Sequence, residues 1–392
     1  MNNRLLFFSL LLMTFAFIFQ CTKEESNPVG ARYFQRNDKG AQYSQTLYAA
    51  STDTFYNTHI TVASSIYLHV GKDGDTQAKT LIRFSSVPQG VHIDSAFLKI
   101  YVSQWLAENG NSLDIEAYHI TESWSESVVT WDNFDESIIG EKAMEFSIQP
   151  GEADSIILAI PQTILDQWSD TSSTSTNYGL FLESVSEGQI IQLFSYNSDY
   201  SPVLTVYTLD EEDSTVVDET QYTPSSDAFI SDTHVEGNTD YLFVSNGQPL
   251  GIPSRILLSF DIPEFPENTT INGALLNFTP DTTLSQPDHS ESFGLIAYPV
   301  TDESWPISQV PYDTSLVTVG TVDQDSASID ITDIVQNWIY GGLDNFGLVV
   351  MSNISRTSYY ERAFYSSACQ DSTRMPQLVI YYSIAPASNK FE

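Results

Sequence analysis

A flat aromatic ring packs against the C–H face of a sugar while neighbouring polar groups take its hydroxyls, so exposed aromatics beside polar side chains are where sugar binding would be sought. Three sets of residues qualify. Trp124 and Trp131 bracket the segment Trp124-Ser125-Glu126-Ser127-Val128-Val129-Thr130-Trp131. Trp105 follows an alternating stretch and precedes the turn-prone Leu106-Ala107-Glu108-Asn109-Gly110. Arg356, Tyr359, Tyr360 and Arg362 form the densest aromatic and cationic patch of the chain, in an expected loop. Each set also has a packing explanation, most directly for Trp124 and Trp131, whose segment joins strands. Trp168 and Trp338 lie on apolar helical faces and are expected in the core.

Other chemistry is poorly supported. Lys72-Asp73-Gly74-Asp75 and Asp132-Asn133-Phe134-Asp135-Glu136 place oxygen ligands at short spacing, so Asp73 with Asp75, or Asp132 with Asp135, are weak candidates for a structural calcium. No other cofactor is expected. Carboxylate pairs such as Glu122 with Glu126, or Asp302 with Glu303, carry no weight in a chain with 51 acidic residues. The six histidines are scattered, and no nucleophile-base order or phosphate loop stands out, so an enzyme is not expected.

Against those 51 acids stand 15 Lys and Arg, a formal net charge of −36. That field repels polyanions and excludes nucleic acid as a partner. It also favours neutral over acidic polysaccharides.

The amino terminus has its own logic. Arg4 is followed by an apolar run from Leu5 to Phe19, then Gln20 and Cys21. A run of about 15 residues suits a secretory signal, whereas a spanning helix needs roughly 20. Cys21 at its end is similar to the lipid-bearing cysteine of bacterial lipoproteins. Thr22-Lys23-Glu24-Glu25 resembles the surface-export signal of Bacteroidota lipoproteins, which implies a lipid-anchored protein on the outer face of the outer membrane. The second cysteine, Cys369, then has no disulfide partner and is assigned no chemistry.

Which elements would position these residues follows from a weak internal repeat. Thr80-Leu81-Ile82-Arg83-Phe84 matches Ile256-Leu257-Leu258-Ser259-Phe260, and Ser95 to Ile100 matches Gly273 to Phe278. Ala117-Tyr118-His119-Ile120-Thr121-Glu122-Ser123-Trp124 matches Ala297-Tyr298-Pro299-Val300-Thr301-Asp302-Glu303-Ser304-Trp305. In the first copy Ala96, Leu98, Ile100 and Val102 alternate with Phe97, Lys99 and Tyr101, as a strand with one core face requires. Ile164, Leu165 and Trp168, and later Ile334, Val335 and Trp338, fall at helical spacing, one short helix per copy. Twelve per cent aromatic residues, many short strand signals and no βαβ alternation predict an all-β chain of two tandem antiparallel β-sandwiches, jelly-roll-like, each with one short helix. The expected layout is a signal over 1–20, a polar tether over 21–47, domains over 48–207 and 225–383, an acidic linker over 208–224 and a tail over 384–392.

These residues resemble the DNRLRE domain, related to disaggregatase repeats and to carbohydrate-binding module family ninety-six. The resemblance is carried by the strand ending in Phe84 or Phe260, the alternating strand after it, Trp124 to Trp131, the Val335-Gln336-Asn337-Trp338 helix, the Asn345-Phe346-Gly347 turn, and Phe364 to Ser367 before Pro376. The second copy departs from it, with Val310-Pro311-Tyr312 where the first has Thr130-Trp131. The resemblance implies non-catalytic jelly rolls attached to extracellular proteins, some binding alginate through basic side chains. The expectation is therefore a surface lipoprotein that binds extracellular polysaccharide through exposed aromatics; the alternative is a structural or adhesive protein whose sandwiches are spacers. The sequence leaves the protein partners unnamed.

Overall fold

The computed structural model describes residues 41–50, 53–151, 154–171, 177–209, 217–233, 240–286, 293–304, 310–323, 325–353 and 360–385. Cys21 and the expected signal lie outside them. In chain order the strands are β1 (Ala41–Tyr48), β2 (Thr54–Asn57), β3 (Tyr67–Asp73), β4 (Thr76–Arg83), β5 (Ile93–Ala107), β6 (Leu113–Ile120), β7 (Ile139–Ile148), β8 (Ser155–Ala159), β9 (Leu180–Ser184), β10 (Gln189–Phe194), β11 (Val203–Leu209), β12 (Val217–Tyr222) and β13 (Ser226–Thr233). They continue as β14 (Tyr241–Ser245), β15 (Ser254–Leu258), β16 (Thr269–Phe278), β17 (Pro280–Gln286), β18 (Phe293–Pro299), β19 (Thr318–Val322), β20 (Ala327–Asp330), β21 (Leu348–Ser352), β22 (Glu361–Tyr365) and β23 (Gln377–Ile384). Among the described residues two α-helices, α1 (Gln162–Ser169) and α2 (Thr332–Tyr340), and a 3-10 turn at Glu136–Ile138 complete the list. The protein is all-β as expected.

The first sandwich is one curled antiparallel sheet in the order β12-β11-β5-β10-β3-β4-β9-β6-β7, with β13 added on β4 and β8 on β5. Because the sheet folds over, Leu98 and Ile100 of β5 and Val206 of β11 share one core with Ile82 of β4, Leu182 of β9 and Ile115 of β6. Ile164, Leu165 and Trp168 of α1 join that core, as their spacing predicts. Each such side chain contributes about 1.5–3 kcal/mol through burial.

The second sandwich repeats the plan with β1-β23-β16-β20-β19-β18-β21-β15-β2 and a smaller sheet β14-β22-β17. Ile334, Val335 and Trp338 of α2 are its helical contribution. A shared turn device shows how closely the copies agree. Asn177 donates its amide to the Phe84 carbonyl at 2.7 Å and accepts the N–H of Gly179; Asn345 does the same to Phe260 at 2.9 Å and Gly347. Both glycines have positive φ and lie so close to the β4 or β15 backbone that a Cβ would meet a carbonyl at 2.2 or 2.4 Å. No other residue fits there.

The copies differ in where their outer strands come from. In the first sandwich β12 pairs with β11 and β13 with β4, both following directly in sequence. In the second, the matching places beside β23 and β15 are taken by β1 and β2 from the other end of the chain, Ala41 opposite Ile384 and Ser254 opposite Asn57. Leu47, Ala49 and Phe55 pack into the second core. His59, just after β2, then crosses to the first sandwich, Nδ1 2.9 Å from Asp132 and Nε2 3.1 Å from Asp232. The acidic stretch 208–224, expected as a linker, therefore contains β12, and β13 belongs to the first sandwich although it lies in the second sequence repeat.

Candidate functional site

The alternation of β5 builds an aromatic surface. Ala96, Leu98 and Ile100 are at most 2% exposed, whereas Phe97, Lys99 and Tyr101 stand on the opposite, outer face. Neighbouring strands add rings to that face. Tyr207 of β11 meets Phe97 edge-on at 6.1 Å between centroids. Lys99 Nζ sits 4.5 Å from the centre of the Tyr101 ring. Tyr101 then contacts Tyr200 at 5.7 Å, Tyr200 contacts Phe194 of β10 at 4.9 Å, and Phe194 contacts Tyr67 of β3 at 5.6 Å. Tyr200, in the loop before β11, is 56% exposed and Phe97 39%. Ile157 of β8, opposite Lys99, widens the surface.

The strand residues of the face are held by their pairing, and Tyr200 is added to them from the loop before β11. Burial, and then the Glu219 carboxylate to which its hydroxyl donates, push the Tyr207 phenol above its ordinary range. The arrangement offers aromatic rings, one ammonium beside them and phenolic hydroxyls at their edges. That inventory suits a sugar chain lying along a sheet, and a hydrophobic patch left in water marks a ligand or partner site.

The residues singled out from sequence are elsewhere. Trp105 lies within β5, which runs on through Ala107 before the exposed turn at Glu108 to Asn111, and its side chain is half-buried against the first core rather than open to solvent. Trp124 is 9% exposed and donates its indole N–H to the Tyr178 carbonyl at 2.8 Å. Trp131 is half-buried under Lys79, whose Nζ is 5.2 Å from the ring centre. Both tryptophans pack in a cluster with Leu81, Ile120 and Phe181, on the back of the sheet, so they form no open platform. The second sandwich reproduces this contact with other residues, Arg255 over Tyr312 at 5.8 Å.

Tyr360 and Arg362 are 5% and 1% exposed, not surface residues of a loop. Arg362 lies on β22 with its guanidinium 5.1 Å from the Phe293 ring inside the second sandwich. Arg356 and Tyr359 fall outside the described residues. Among the calcium candidates, Asp73 ends β3 and Asp75 lies in the β3–β4 turn, Asp132 faces His59, and Asp135 accepts from the Ser137 hydroxyl and N–H, which hold its carboxyl below the usual range. Among the described residues no set of three His, Cys, Asp or Glu converges to hold a metal.

Among the described residues the second sandwich does not repeat this run of ring contacts at the matching strand, although Tyr43 stacks on Tyr382 at 5.3 Å elsewhere on it. Its Tyr365 stands at the position of Phe194, but Arg374 covers that ring at 4.9 Å and donates to its hydroxyl at 2.8 Å, while Tyr241 packs beside it at 5.3 Å. The ring is engaged by the protein itself.

Residues 43–208 match the model of carbohydrate-binding module family 96, a stretch that contains every residue of the aromatic face. The match supports a carbohydrate-binding module in this part of the chain. No curated protein matches. Among solved structures, a chain described as "BspA_C_mut" is 9% identical, over 85% of this chain and 91% of that one, with a TM-score of 0.15. The structure of infectious bursal disease virus Gx strain is 10% identical over 89% and 77%, with a TM-score of 0.13. Likenesses that slight carry no argument.

Proposed function

We propose that the protein binds extracellular polysaccharide through the outer face of the first sandwich, with Phe97, Tyr101, Phe194 and Tyr200 as the stacking residues and Lys99 as a polar anchor. The observation that carries this reading is the unbroken run of ring contacts from Tyr67 through Phe194 and the loop residue Tyr200 to Tyr101, inside the segment that matches a carbohydrate-binding family. Neutral glycans are favoured, because a net charge of −36 opposes an acidic polymer and Lys99 alone offsets little of it. The reading is tested by affinity electrophoresis in gels containing different polysaccharides. Retardation by a neutral polymer supports it, and free migration in every gel sinks it.

The same proposal places the protein at the cell surface, held through a lipid on Cys21, with a tether over 21–40, shorter than the 21–47 expected because β1 begins at Ala41. Mass spectrometry of the mature amino terminus tests this, and an unmodified Cys21 refutes it. The competing reading, sandwiches as spacers with no ligand, draws on the pairing of β1 with β23, which ties the two ends of the chain together. It predicts free migration in every gel.

A further inference from the structure

A concave feature lies away from the aromatic face, where strand ends of both sandwiches meet. It is a cleft of about 520 Å³. The first sandwich supplies the end of β5 at Leu106 and Ala107, Ile190 of β10, the β3–β4 turn at Asp73 and Thr76, and the end of β13 at Thr233. Opposite are the end of β2 at Asn57 and, from the second sandwich, the loop Gly247 to Leu250, Ile252 and Glu361. The volume falls within the roughly 300–1,000 Å³ of small-molecule sites, and junctions between domains are where such sites concentrate.

Its chemistry is specific. Leu106, Ala107, Ile190 and Ile252 give an apolar lining. The polar groups are mostly hydroxyls and amides: Thr76 and Thr233 share a hydrogen bond at 2.8 Å, Asn57 accepts the Ser254 hydroxyl at 3.0 Å while its amide N–H groups remain as donors, and Gln248 adds another amide. Among the described residues no lysine or arginine lines it, whereas Asp73 and Glu361 do. A carboxylate or sulfate would enter without a cation to meet it and would face like charge, which costs far more than burying a neutral hydroxyl that finds a partner.

We propose that this cleft is a second binding site, for the terminal residue of a neutral glycan, whose ring face would lie on the apolar lining and whose hydroxyls would meet Thr76, Thr233, Asn57 and Gln248. The proposal rests on the reading of the protein as a glycan binder, and it adds a site for chain ends to a face for chain interiors.

The test is calorimetric titration of the whole chain with neutral hexasaccharides of β-1,3-glucan, mannan and xylan, and with a hexauronate. Two binding events are expected with at least one neutral sugar. Ala107→Phe, which fills the cleft, should weaken one of them at least tenfold, and Tyr101→Ala with Tyr200→Ala should remove the other. Thr76→Ala with Thr233→Ala gives the same answer should the larger side chain disturb folding, and circular dichroism checks each variant. A single event, lost in the Tyr101 and Tyr200 variant and untouched by Ala107→Phe and the threonine pair, overturns the cleft and leaves the aromatic face standing. A single event lost only in the cleft variants overturns the face and keeps the cleft. Hexauronate binding in the cleft as tightly as a neutral sugar overturns the assigned ligand class, and no heat with any sugar overturns both sites.

Discussion

Asp53 Oδ2 accepts the backbone N–H of Ser367 at 2.7 Å, joining residues 314 positions apart. Its second oxygen accepts the Ser367 hydroxyl. In the first sandwich Asp227 holds the matching position, its Oδ2 taking the N–H of Tyr196 at 2.8 Å. Each carboxylate fastens an outer strand to the loop that follows β22 or β10. Replacing Asp53 by Ala leaves the Ser367 N–H without its partner, at a cost of about 1–3 kcal/mol. Urea unfolding should show the second sandwich melting earlier by that amount; an unchanged midpoint would mean water replaces the carboxylate.

A larger effect follows from removing the strands themselves. A chain beginning at residue 60 lacks β1 and β2, exposing the long edge of β23 and uncovering the core where Leu47, Ala49 and Phe55 pack. The second sandwich should become protease-sensitive while the first, which completes itself with β12 and β13, resists. Equal resistance of both would show that the amino-terminal strands are dispensable.

Two buried groups give stability a pH dependence. Burial, reinforced by the Glu126 carboxylate and offset by the Tyr196 N–H, pushes the Asp227 carboxyl up to about 7. A raised pKa stabilises the folded state fully below the unfolded value near 3.8, and that contribution disappears as pH rises through about 7. Burial lowers His69 to about 3, offset in part by Gln192, so its contribution is present above 6.5 and lost as pH falls towards 3. Between about 3.8 and 6.5 the two slopes oppose each other; between 6.5 and about 7 only Asp227 of the pair acts, and stability should fall. Thermal melts of Asp227→Asn should remove that decline, and a wild-type melting temperature flat from pH 6.5 to 8 would contradict the assignment.

The Lys79–Trp131 and Arg255–Tyr312 contacts are packing devices, so their loss should be felt in stability and not in binding. A double-mutant cycle on Lys79→Met and Trp131→Ala should return a coupling of about 0.5–1 kcal/mol. Glycan retardation should survive once the protein is folded, and its disappearance in a folded Trp131→Ala protein would return that tryptophan to the binding site.

Local signals were readable where local physics decides. The alternation of Phe97, Lys99 and Tyr101 against Ala96, Leu98 and Ile100 marked the face on which the proposed binding residues stand, and the spacing of Ile334, Val335 and Trp338 marked α2. What sequence concealed was non-local. The pairing of Ala41 with Ile384 leaves no trace in either segment, and β12 is short, acidic and without an apolar alternation. Arg362 and Tyr360 misled because a cationic and aromatic cluster reads as surface, whereas Arg362 on β22 and Tyr360 just before it are both buried. Tyr200 could have been found from its place beside the proline that opens β11, but only the fold brings it to Tyr101 and Phe194.

The most direct test of the account is the Tyr101→Ala, Tyr200→Ala protein run beside wild type in gels of whichever neutral polysaccharide retards the latter, at low and at high salt. Stacking predicts wild-type retardation that persists in salt, because screening weakens charges and not ring packing, and an affinity for the polymer at least tenfold lower in the variant. Equal retardation of a correctly folded variant would show that the aromatic face of the first sandwich is not where the polymer binds.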